Sequence, residues 1–179
     1  MKNLFNKFKS LFSQTSTNVQ GNMVDFDKLL KAKDSKDKNE VIIELDNKIC
    51  NLSSWGEKLN KLNTSQRTFY YNQELEREIN NGGFNQFYFN SSGNYAHEVI
   101  DSLVAIGANK TAEIVRKANS QFPSRKVPKD RDERQKVLNQ IEEKANEVWE
   151  NFDQEFCQYE DDLNSLNLEF IKKNINDFR

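Results

Sequence analysis

A pair of glycines set between two helix-forming runs constrains this chain more than any other feature. The stretch from Glu76 to Asn94 reads Glu-Arg-Glu-Ile-Asn-Asn-Gly-Gly-Phe-Asn-Gln-Phe-Tyr-Phe-Asn-Ser-Ser-Gly-Asn. Tyr71, Leu75 and Ile79 lie on one i, i+4 row ahead of it, with Asn63-Thr64-Ser65 as the capping cluster of that helix. Asn81 or Gly82 then supplies the left-handed residue on which a helix ends. Phe84, Phe87 and Tyr88 repeat at i, i+3, i+4, so a helical turn follows and its rings are core. A second turn is expected at Ser91-Ser92-Gly93.

The rest of the chain repeats the helical period. Only 2 Pro and 6 Gly interrupt 179 residues, which favours long helices over a turn-rich β-fold. Expected helices cover 24–33, a segment from Glu40 with Asn39 as cap, Tyr95 to Ile106, and Lys110 to Gln121. A long one begins at the capping box of Asp130 and Glu133 and carries Leu138, Ile141, Ala145, Val148, Phe152 and Phe156 on its apolar stripe. A last helix covers Leu166, Phe170 and Ile171. The fold class is all-α: one domain of six to eight helices over 23–179, with Phe84, Phe87, Leu103, Val115, Ile141 and Phe152 in its core.

Residues 1–22 form a separate N-terminal segment. Leu4, Phe5, Phe8, Leu11 and Phe12 share one helical face over 1–12, with Lys2, Lys7 and Lys9 elsewhere, and 13–22 is a polar linker. Two readings stay open for 1–12: a basic amphipathic helix in weak contact with an anionic membrane surface, or a helix docked on its own domain or a partner. No run of 18 apolar residues is present and no secretory leader is legible, so a cytoplasmic location is expected. Cys50 and Cys157 match no metal spacing and are expected as reduced, buried thiols.

Candidate chemistry is sparse. Gly82-Gly83 lacks the flanking residues of a phosphate loop and reads as a cap. Phe84, Phe87, Tyr88 and Phe89 lack the interleaved Lys and Arg that a base-stacking surface needs and are all expected in the core. His97, with Asp101 four residues on, is the weak candidate for a metal ligand or an acid–base catalyst, and no nucleophile or further ligand accompanies it. The charge pattern says more. Net charge is −2, but 142–162 holds nine acids against Lys144 alone. On one helix, Glu143, Glu147 and Glu150 fall on a row flanked by Glu142 and Asp153, a face that repels nucleic acid and attracts a basic groove.

Glu78-Ile79-Asn80-Asn81-Gly82-Gly83-Phe84, then Gln86-Phe87 and Asn90-Ser91-Ser92-Gly93, resembles the signature of a bacterial domain of the DNA-mimic protein family. Ile106-Gly107-Ala108 and Ala118 to Phe122-Pro123 fit the same pattern, so the resemblance covers roughly residues 60–160. It implies an all-helical domain, often dimeric, with no known cofactor, metal or catalytic residue. It also implies an acidic surface that competes with DNA for a DNA-binding protein. Asn81, Gly82, Gly83, Phe84, Gln86, Phe87, Ser92 and Gly93 read as structural within that signature. The function expected is therefore a non-enzymatic binding protein whose acidic face (Glu142, Glu143, Glu147, Glu150, Asp153) engages a basic partner protein, DNA mimicry being the form the resemblance suggests. The alternatives are a membrane-surface or scaffold protein acting through 1–12, and an enzyme using His97.

Overall fold

A computed structural model describes residues 35–179 together with Lys31. The expected helices at 1–12 and 24–33, the linker 13–22 and the domain boundary at 22 lie outside the described residues. Six α-helices follow in order: α1 (Ser35–Leu52), α2 (Thr64–Phe89), α3 (Glu98–Ile106), α4 (Asn109–Asn119), α5 (Arg131–Phe156) and α6 (Leu163–Lys173). Short 3-10 turns at Leu59–Lys61, Ser91–Tyr95, Pro123–Arg125 and Ile175–Asp177 link or end them, and no strand occurs among the described residues. The all-α expectation holds.

The central helix is α2. It packs along α5, and against α3, α1 and α6; α4 then bridges α3 and α5 on the far side. Its start is the expected one: the Asn63 side chain accepts from the Gln66 amide at 2.9 Å, and Gln66 returns a bond from the Asn63 amide at 3.1 Å. The chain end closes on the same point. Asn63 Nδ2 donates to the Asp177 carbonyl at 2.8 Å, and the buried Phe178 ring meets Phe69 edge-on at 6.2 Å.

Between α2, α4 and α5 the core is aromatic. Tyr88 lies 4.9 Å from both Phe122 and Trp149, centroid to centroid, and 6.0 Å from Phe84. Pairs like these add about 0.5–1.5 kcal/mol each beyond the area they bury. Their polar tips are satisfied as burial requires. The Tyr88 hydroxyl donates to Asn119 Oδ1 at 2.7 Å, Asn119 Nδ2 donates to the Ala96 carbonyl at 2.9 Å, and the Trp149 indole donates to the Ala118 carbonyl at 3.2 Å.

Several local expectations shift. The first described helix begins at Ser35 rather than Glu40. Tyr95 belongs to a 3-10 turn, and α3 proper starts at Glu98. Phe89, expected in the core, is exposed at the last position of α2. Ile141 and Phe152 are half-buried, because Leu138, Ala145, Trp149 and Phe156 take the inner row of α5. The fully buried Arg134 extends that row one turn toward the N-terminus.

Candidate partner-binding face

The glycine pair is a kink inside a continuing helix rather than its end. Gly83 takes φ 73° and ψ −170°, a combination open essentially to glycine alone, and the helix resumes at once toward Phe89. The bend frees the Phe84 amide, and Asp153 of α5 accepts it at 2.8 Å. A Cβ on Gly83 would collide with that same carboxylate. Turn, glycine and acid therefore form one fitting.

The other signature residues gather on a buried carboxylate. Glu78 accepts from Gln86 Nε2 at 2.6 Å, from Asn90 Nδ2 at 3.0 Å and from Ser92 Oγ at 3.0 Å. Ser92 Oγ also reaches the Phe87 carbonyl at 2.9 Å. Past the end of α2, Arg134 spends its guanidinium on carbonyl-type oxygens: Tyr88 O at 2.7 Å, Asn90 O, Asn94 Oδ1 and Pro128 O at 2.8 Å, and Lys129 O at 3.0 Å. Among the described residues no carboxylate lies at ion-pair distance from it, Asp130 acting only from farther off. The negative end of α2 stabilises the buried cation instead, and Gly93 lets the guanidinium lie close, since a Cβ there would sit 2.5 Å from Arg134 Nε.

Against this frame the nine acids of 142–162 divide into two groups. Five have structural partners. Besides Asp153, Glu142 accepts from Asn85 Nδ2 at 2.9 Å, and Glu160 pairs with Lys110 at 2.5 Å. Asp161 accepts from the Thr111 amide at 2.8 Å, and Asp162 caps α6 through the Ser165 amide at 3.0 Å. Burial pushes the Asp153 carboxyl up, while its bond from Phe84 pulls the other way. Glu143, Glu147 and Glu150 are exposed and, among the described residues, have no cation at ion-pair distance. Glu155, also exposed, turns instead toward a groove it lines with Lys110 and Lys117.

The three free glutamates stand at i, i+4 and i+7, about 4.5–6 Å apart along the axis. That placement opposes local stability, because like charges at i, i+3 and i+4 repel. Neutral amides flank the row, with Asn85 Nδ2 reaching Asn146 Oδ1 at 2.8 Å beside Glu142, and no charged side chain lies between Glu78 and His97. The result is an anionic strip beside a polar, uncharged shoulder.

A family model described as DMP19-like protein matches residues 60–174. The chain belongs to this family. It is the DNA-mimic protein family that the Glu78–Gly93 motif resembles, and the match runs through α6, beyond the limit near 160 read from the motif. No curated protein and no solved structure matches the chain. In this family member the signature residues are seam fittings: Gly82 and Gly83 bend α2, Phe84 and Phe87 are buried, and Gln86 and Ser92 hold Glu78. Asn81 is exposed, its Nδ2 3.4 Å from Gln86 Oε1.

The weaker sequence candidates find other work. His97 precedes α3, and its Nε2 accepts from the Val127 amide at 3.2 Å; Asp101 is exposed and forms no bond with it. Cys50 is buried, its thiol pushed up to about 12 by desolvation and then by Asp46. Cys157, expected buried, is exposed because it caps the end of α5; desolvation, then Asp153, still raises its thiol, so neither sulfur is an activated nucleophile. Among the described residues no group of three or more His, Cys, Asp or Glu is placed to hold a metal, and no helix is long and apolar enough to cross a membrane.

Sequence reasoning missed Arg134 and Trp149, the residues that most firmly fix α5 to the kinked helix. A signal existed. Stepping back four from Leu138 reaches Arg134, and stepping on four from Ala145 reaches Trp149.

Proposed function

We propose that this protein is a non-enzymatic binding protein whose anionic strip on α5 docks into a basic, DNA-binding surface of a partner protein. One observation carries the reading: Glu143, Glu147 and Glu150 are exposed and aligned on one helix face where they repel one another, and among the described residues no cation pairs with them. Five of the other six carboxylates of 142–162 have a partner in the fold. Membership of a DNA-mimic family supports the same reading. The strip's spacing is looser than the 3.4 Å per phosphate of a DNA strand, so the likeness to DNA lies in charge on a rigid rod rather than in a copied backbone. Association would be steered electrostatically and weaken as salt rises.

The test is competition. A partner recovered from source-cell lysate and purified is titrated onto its DNA site with and without this protein. The reading expects displacement of the DNA at low salt, lost when Glu143, Glu147 and Glu150 are all changed to Gln. Undiminished displacement by the triple variant would sink it.

A further inference from the structure

A second segment of the molecule is basic. From 116 to 129 the chain carries Arg116, Lys117, Arg125, Lys126 and Lys129 and no acid. Arg116, Lys117 and Arg125 line a groove of about 470 Å³ between the end of α4, the start of α3 and the loop into α5, with His97 and Ser120 beside them. The groove's carboxylate, Glu113, is taken up by Arg116 at 3.2 Å. Lys117 and Arg125 have no carboxylate at ion-pair distance among the described residues.

Cations in the last turn of α4 complement its dipole, which accounts for Arg116 and Lys117. It does not account for Arg125, which the loop delivers. Ser124 and Arg125 are consecutive left-handed residues, at φ 56° and 57°, and neither is glycine. The strained turn is held on both sides: Val127 donates to His97 Nε2, and Arg134 binds the carbonyls of Pro128 and Lys129. The His97 ring that holds Val127 also lines the groove.

We propose that this groove binds a phosphate group, as the free oxyanion or as a monoester. Lys117 supplies a compact charge and Arg125 a planar fork of donors, a pair matched to a tetrahedral oxyanion. The groove is open to solvent, so the organic part of an ester can extend outward.

The test titrates the full-length, 15N-labelled protein with inorganic phosphate, with O-phosphoserine, and with sodium chloride at matched ionic strength. The expected result is a saturable shift of the Ser124 to Val127 amides with phosphate or O-phosphoserine and not with chloride. Arg125→Gln and Lys117→Gln should each weaken it by at least about fivefold, with unchanged circular dichroism, whereas Glu143→Gln should not. Saturation by both ligands, tighter for O-phosphoserine, assigns a monoester; saturation by inorganic phosphate alone assigns the free ion. Shifts no larger than those in chloride overturn the proposal. So does saturable binding of a single-stranded oligonucleotide with no response to either small phosphate.

Discussion

Gly83 and Arg134 show how single residues set this fold. Gly83 meets two demands that a Cβ defeats, a glycine-only backbone and contact with the Asp153 carboxylate. Gly83→Ala should therefore cost about 2–3 kcal/mol, within the range for strained backbone, read as a lower urea midpoint with unchanged slope. Arg134 is buried with five oxygen acceptors, none of them an acid. Arg134→Leu strands those carbonyls and should cost about 1–3 kcal/mol or more, the range for buried neutral acceptors left without a donor. Arg134→Lys should not restore it, because an ammonium cannot span the fork. A Leu variant as stable as the parent would show that water satisfies the carbonyls instead.

At the scale of elements, α2 and α5 are joined along their length. The Arg134 fitting lies at one end, Asn85 with Glu142 and Asn146 in the middle, then Asp153 with Phe84. Beyond them, Asn80 Nδ2 reaches the Tyr159 hydroxyl at 2.6 Å. Glu76 belongs to this last contact. Burial pushes its carboxyl up to about 7, partly offset by its bond with Tyr159; Asp46 and Asp162 add to the rise and Arg77 opposes it. The folded value lies above the unfolded one, so this contribution is fully present below the ordinary carboxylate range and is lost as pH climbs through 7. The urea midpoint should thus be higher at pH 5.5 than at pH 8, and Glu76→Gln should remove most of that difference. An identical gap in the variant would place the pH dependence elsewhere, with Glu74 as the next carboxyl that burial raises. Much of this architecture was legible in the sequence, since capping residues and apolar periodicity are local signals. The Asn63 cap and the Asp130 cap of α5 stand where the residues put them. The kink was not legible as a kink, because Asn-Asn-Gly-Gly equally suits a helix end, and whether the helix resumes depends on Asp153 nearly seventy residues away.

Across the whole molecule, a net charge of −2 conceals two segments of opposite sign, an anionic strip along the middle of α5 and a basic run from 116 to 129. The sequence showed the acid run but not which acids it leaves free. Asp153 looked like part of the face and instead holds the Phe84 amide, since its row passes under the bend of α2. Glu142 touches Asn85, so the strip reduces to Glu143, Glu147 and Glu150. The central claim is that these three are kept for binding at a cost to stability, and one pair of readings on one variant tests it. With all three changed to Gln, thermal melting and affinity for the purified partner are measured in the same low-salt buffer. The account predicts an unchanged or higher melting temperature, as repulsion is relieved, together with clearly weakened affinity. Three exposed pairs at about 0.2–1 kcal/mol each amount to several-fold or more. Unchanged affinity, or weakened binding that merely follows a lower melting temperature, would contradict it.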